Sequence, residues 1–161
     1  MRLSLFPFFF AAGFGAVACA ASPQPEALKV EPGYTLALFQ ADVGGARSLA
    51  HGPRGTVFVG TRGKKVYAIR EGKLTVIAKD LDAPNGIAFK DGDLYVGEVK
   101  RILKFPGIET ALAETPPRTP KPVVVFTGLP ADGGHDWRYM GFGPDGALYL
   151  GVGVHCNICN R

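Results

Sequence analysis

The chain has 161 residues, of which 47% are hydrophobic, and it contains 22 glycines and 13 prolines. Its formal net charge of +4 is spread along the sequence, without the long basic run of a nucleic-acid-binding surface, and this disfavours nucleic acid as a partner. Frequent turn residues between short β-branched and aromatic runs indicate an all-β protein.

The first 20 residues predict a secretory signal peptide. A basic start is followed by an apolar run that ends at Val17, and small residues precede a cleavage site after Ala20. The apolar run is shorter than the about 20 residues that cross a bilayer. We therefore expect an exported chain, periplasmic or extracellular, with Cys19 as an alternative site for a lipid anchor. The mature protein then begins with a mobile, proline-rich terminus over residues 21–27.

A strand–turn–strand pattern occurs three times in the sequence. Each copy has a turn glycine, Gly55, Gly92 or Gly146, followed by alternating apolar residues. Around the first copy, four predicted strands occupy some forty residues, which is the plan of one blade of a β-propeller. The internal repeat therefore predicts a partial β-propeller domain over residues 28–161, with about two and a half blades.

The strands are predicted in chain order. The opening strand is expected within 28–39, and the first two units are expected to have strands at 47–50, 56–61, 65–69, 74–78, 85–89, 93–98, 101–105 and 123–126. An insertion at 106–122 is expected to hold a short helix near 108–114 and a proline-rich arm. The third unit starts at Trp137 and is incomplete at Arg161. Because propellers close a ring of about four to eight blades, we expect the chain to be truncated at its C-terminus.

Three loops lead into the predicted innermost strands, which face the central channel of a propeller. The third loop contains His135, whose neutral imidazole could take a proton from a hydroxyl group, and Arg138, whose guanidinium could hold an anionic or quinone oxygen. The equivalent positions of the second and first units are Asn85 and Arg47, as polar contacts to a ligand. A purely structural interpretation stays open for each, since turns and rims use the same residue types.

Cys156 and Cys159 form a Cys-x-x-Cys motif. In an oxidising compartment this even pair favours a local disulfide. A zinc site would need two further ligands, and none is suitably spaced. The motif is not a haem c attachment site either, because Asn160 stands where that motif has histidine.

Taken together, the motifs resemble the glucose/sorbosone dehydrogenase family, and the sorbosone-dehydrogenase-like branch is nearest. The segments that match are ARSLA (46–50), VFVGTR (57–62), KVYA (65–68), LDAPNGIAF (81–89), LYV (94–96), RIL (101–103), GLP (128–130), FGPDGALY (142–149) and CNIC (156–159). The resemblance implies a six-bladed propeller that binds pyrroloquinoline quinone (PQQ) in its channel, with calcium holding the quinone. It also implies a sugar or alcohol substrate, an external electron acceptor, and His135 as the general base while hydride passes to the quinone.

The sequence departs from the glucose-oxidising branch at two positions. That branch has Asp directly before the histidine, where this chain has Gly134, and Gln near the second-unit loop, where this chain has Asn85. The family's later cofactor and calcium ligands would lie beyond Arg161, so the 161-residue chain alone is expected to be inactive. Two alternatives stay open: a non-catalytic propeller that binds a carbohydrate or a protein, and a lactonase-like hydrolase with a channel metal held near Glu31.

Overall fold

The computed structural model describes residues 27–131 and 134–154, and the chain divides into two compact units, residues 1–41 and 42–161. In the first unit the described stretch contains no strand, and it has one turn in which the Tyr34 amide donates to the Glu31 carbonyl at 3.1 Å. The opening strand predicted within 28–39 is not formed: its alternating apolar side chains, such as Phe39, are exposed, and no strand pairs with it in the described part.

The second unit contains three antiparallel sheets and one short helix, which confirms the all-β prediction. Each strand pairs with its neighbours in sequence, the meander arrangement of a propeller blade. The first sheet contains β1 (Ala46–His51), β2 (Val57–Thr61), β3 (Val66–Arg70) and β4 (Lys73–Ala78). The second contains β5 (Gly86–Lys90), β6 (Asp93–Gly97), β7 (Arg101–Phe105) and β8 (Val123–Thr127), and the third contains β9 (Tyr139–Phe142) and β10 (Leu148–Gly151).

The repeated turns explain why the strands form where they do. Gly55, Gly92 and Gly146 have φ angles of 82°, 87° and 80°, in the left-handed region that glycine adopts without strain. Each turn therefore joins the first two strands of its sheet, as the sequence repeat predicts.

Two apolar layers hold the three sheets together. The layer between the first and second sheets includes Phe58, whose ring stacks on Phe89 with 5.6 Å between centroids, and Leu94, which is fully buried. The layer between the second and third sheets is centred on Met140, with the ring edge of Tyr95 packed on Phe142. Burial of this apolar surface is the main force that stacks the sheets.

The insertion between β7 and β8 contributes the helix α1 (Ile108–Leu112), within the range predicted. Its Glu109 carboxylate is buried and accepts the backbone N–H groups of Thr56 and Arg54, both at 3.3 Å. The second sheet's insertion is thereby attached to the β1–β2 turn of the first sheet. Among the described residues, none of the helices has the length and hydropathy of a membrane-spanning segment.

Candidate binding site at the inner strands

The innermost strands of the three sheets, β1, β5 and β9, lie side by side along one cavity. This cavity has a volume of about 640 Å³. Its lining residues come from these strands and the loops before them: Arg47, Ser48, Leu49, Asn85, Ile87, Trp137, Tyr139 and Met140. Arg47 and Asn85, the predicted ligand contacts, are among these lining residues, and their role in binding a cofactor stays a prediction.

The guanidinium groups of two arginines stack on the indole ring of Trp137. The guanidinium carbon of Arg47 lies 4.5 Å from the centroid of the indole ring, and that of Arg62 lies 4.0 Å from it. Arg62 follows β2 and is held there because its amide donates to the Gly45 carbonyl at 3.0 Å. Each contact is a cation–π interaction, so the stack joins the first sheet to the loop that enters the third.

Asn85 is the most buried polar residue that lines the cavity, with 5% of its surface exposed. Its Nδ2 donates to the backbone carbonyl of Arg138 at 3.0 Å. Its Oδ1 has no hydrogen-bond partner among the described residues. A buried carbonyl-type oxygen without a donor is costly, and this indicates a position that a ligand hydroxyl or amine can satisfy.

Arg138 lies beside this cavity, but its guanidinium does not line it. The side chain is 1% exposed and donates to the carbonyl oxygens of Val99, at 2.9 and 3.0 Å, and Pro130. Oδ1 of Asp136 lies 3.9 Å from Nη2 of Arg138, within ion-pair range. This placement favours a structural role, in which the backbone carbonyl of Arg138 orients Asn85 and its side chain joins two loops.

The loop that receives Arg138 is itself fixed by a buried carboxylate. Glu98 accepts the amide of Asp82 at 2.7 Å and the guanidinium of Arg101. The hydrogen bond to Glu98 raises the pKa of Arg101 above its ordinary value. Because Val99 follows Glu98 directly, this ion pair fixes the carbonyl to which Arg138 donates.

His135 is exposed and lies two residues before Trp137, outside the set of residues that line the cavity. Its backbone lies against Gly153, where an added Cβ would overlap it. Its role as a general base stays a prediction. The predicted signal peptide, the lipid site at Cys19 and the Cys156–Cys159 disulfide lie outside the described residues.

The stack shows two functional candidates that the sequence analysis did not assign, Trp137 and Arg62. The sequence pattern marks Trp137 only as the start of the third unit. Arg62 could have been found from the antiparallel register, because the pairing of Ala46 with Thr61 places the residue after β2 beside the start of β1. Within the described ranges, no three His, Cys, Asp or Glu side chains are grouped so as to hold a metal ion.

Comparison with known proteins gives matches among solved structures only; no protein-family model and no curated protein matches the sequence. An oxidoreductase (glucose dehydrogenase) from Thermus thermophilus matches over 71% of this chain and 39% of its own, with 21% sequence identity and a TM-score of 0.57. The PQQ domain of pyranose dehydrogenase from Coprinopsis cinerea matches over 70% of this chain and 29% of its own, with 15% identity and a TM-score of 0.57.

The third match is the calcium structure of a carbohydrate-active enzyme of family AA12 from Trichoderma reesei. It covers 72% of this chain and 31% of its own, with 18% identity and a TM-score of 0.56. The chain thus spans well under half the length of the solved structures it matches. At these identities the likeness is one of fold, and it confirms the predicted partial β-propeller.

Proposed function

We propose that this chain is the N-terminal part of an exported, quinone-dependent dehydrogenase that oxidises a hydroxyl group of a sugar or alcohol. The observation that carries the proposal is the cavity between β1, β5 and β9, where Arg47, Asn85 and Trp137 converge. Support comes from the fold, since one similar structure is described as a glucose dehydrogenase and another as a PQQ domain.

The residues at the cavity fit a planar, anionic quinone. PQQ bears carboxylate groups, for which the Arg47 guanidinium is a suitable donor, and its ring system could pack on an aromatic side chain such as Trp137. The unpartnered Oδ1 of Asn85 indicates a ligand group that is still to be supplied. For calcium, by contrast with the quinone, the described residues offer no grouping of His, Cys, Asp or Glu ligands.

In the proposed reaction the substrate carbon loses a hydride and its hydroxyl oxygen loses a proton, which leaves a carbonyl group. A bound quinone supplies the hydride acceptor. His135 takes the hydroxyl proton as general base. Asn85 and Arg47 orient the polar groups of the ligand, and the Arg138 carbonyl holds Asn85 in place.

The proposal is tested on the protein expressed from its complete reading frame and supplied with PQQ and calcium. We expect sugar-dependent reduction of a redox dye, and we expect His135→Ala to lower kcat about 10²- to 10⁴-fold because proton abstraction is lost. His51→Ala is the matched control, since His51 is also an exposed histidine but lies at the end of β1, in a different sheet from the one that the His135 loop enters. Dye reduction that survives His135→Ala would remove the assigned base, and absence of quinone-dependent turnover would remove the proposal.

A non-catalytic carbohydrate-binding propeller is the second candidate. It is favoured by Trp137, which is 43% exposed at the cavity and could pack on a sugar ring without any chemistry following. Saturable sugar binding without quinone-dependent dye reduction would favour this candidate over the dehydrogenase.

A further inference from the structure

We propose that Arg47 and Arg62, stacked on Trp137, form a carboxylate-binding subsite, so that the sugar taken by this cavity is acidic: a uronic or aldonic acid. The reaction of that sugar rests on the function proposed above. Its binding rests only on the geometry of the stack.

The stack carries uncompensated positive charge. Both guanidinium groups contact one indole ring, and within the described residues neither of them forms an ion pair. Other basic side chains do have carboxylate partners, for example Arg101 with Glu98 and Arg118 with Glu114. Arg47 lines the cavity, and Arg62 lies on the Trp137 ring that also lines it, so the two cations create a positive potential there that attracts an anionic ligand.

The Trp137 ring orients both arginine side chains before a ligand binds. A cation–π contact uses the charge of the guanidinium over the ring face, and the N–H donors at its edge stay available. No side-chain hydrogen bond of Arg47 or Arg62 occurs within the described residues. A carboxylate is the group that this planar fork binds in a bidentate manner, with charge-assisted hydrogen bonds.

The rest of the cavity suits a polyhydroxylated ligand. Its volume of about 640 Å³ is within the range of small-molecule sites. Ser48 supplies a hydroxyl group, and the Asn85 Oδ1 needs a donor, which a sugar hydroxyl provides. A neutral sugar could use these two groups, but it would bring no counter-charge for Arg62, which is not among the quinone-binding residues proposed above.

The test uses Trp137, the single tryptophan of the chain, as a fluorescent reporter at the stack. The chain is titrated with glucuronate, gluconate and neutral glucose at low ionic strength. We expect the two acids to change the fluorescence saturably, with a Kd about tenfold or more below that of glucose, and we expect this preference to weaken as salt is added.

Variants separate a binding role from a structural one. Arg62→Gln should raise the Kd for glucuronate about tenfold while the Kd for glucose hardly changes, because the lost partner is a charged hydrogen bond. Arg54→Gln is the matched control: this arginine is exposed on the β1–β2 turn of the same sheet, outside the stack. If Arg62→Gln lowers the Tm but leaves the glucuronate Kd unchanged, the stack only joins the sheets and the inference is overturned.

A titration with PQQ, read by the same tryptophan, identifies the source of the carboxylate. If Arg62→Gln weakens PQQ binding but not glucuronate binding, the subsite belongs to the cofactor and the inference fails. Equal affinities for glucose and glucuronate overturn it as well. If glucuronate binds through Arg62 and the complete protein shows no quinone-dependent dye reduction, the subsite stands and the dehydrogenase proposal fails.

Discussion

At Gly86 the backbone of β5 lies close to the backbone of Arg138, in the loop before β9. A Cβ at this position would lie within 3.0 Å of the Arg138 carbonyl oxygen and 3.3 Å from Met140 Cγ. The Arg138 carbonyl cannot easily move, since it accepts a hydrogen bond from Nδ2 of Asn85 and the guanidinium of Arg138 donates to the Val99 carbonyl. We therefore expect Gly86→Ala to lower the free energy of unfolding by about 1–3 kcal/mol, measured by urea denaturation.

The control for this prediction is Gly141→Ala on β9. A Cβ at Gly141 would meet nothing within 4 Å, and its backbone is outside the left-handed region. We expect its unfolding free energy to stay within about 0.5 kcal/mol of the wild type. Equal losses in the two variants would show that the close approach at Gly86 is not the cause.

At the level of single residues, the sequence predicted channel contacts for Arg47, Asn85 and Arg138; the first two line the cavity, and the guanidinium of Arg138 does not. The reason is the alternation of side chains along an extended segment. Trp137 and Tyr139 both line the cavity, and the side chain between them is turned away into the loop that contains Val99. Arg62 was missed because its contact depends on how β1 and β2 pair, which a single pattern of residues does not specify.

At the level of elements, the strands of the two complete sheets were predictable because local rules were sufficient. Turn residues with positive φ, such as Gly55 and Gly92, determine where each strand pair begins and ends. The predicted opening strand within 28–39 failed for the opposite reason: an alternating pattern becomes a strand only when another strand accepts its hydrogen bonds, and no partner pairs with it in the described part.

Helix α1 also stabilises the first sheet, because the Glu109 carboxylate binds the turn between β1 and β2. Glu109→Ala would leave the N–H groups of Arg54 and Thr56 without their acceptor. We expect a loss of about 1–3 kcal/mol in the free energy of unfolding, mainly the cost of leaving the buried Thr56 N–H unsatisfied, measured by urea denaturation. Glu114→Ala, beyond the end of the same helix, removes only an exposed ion pair with Arg118 and should change stability little. If both variants lose stability equally, the attachment through Glu109 is not what holds the turn.

At the scale of the whole molecule, the second sheet leaves apolar surface open on its outermost strand, β8, at the opposite edge from β5. β8 pairs with β7 on one side only, and its residues Val123, Val124, Val125 and Phe126 are all exposed, Phe126 by 51%. An edge strand of this composition can accept a strand from another chain, because the free N–H and C=O groups on its open side and its apolar side chains offer both hydrogen bonds and burial.

We therefore expect the 161-residue chain to self-associate through β8 as its concentration rises. Val125→Lys places a charge on this strand, which opposes pairing with a second copy, and should shift the mass measured by sedimentation equilibrium towards that of the monomer. Thr119→Lys adds the same charge on the exposed arm before β8 and should leave the association unchanged. A wild-type chain that is monomeric at every concentration, or equal effects of the two lysines, would show that β8 does not drive association.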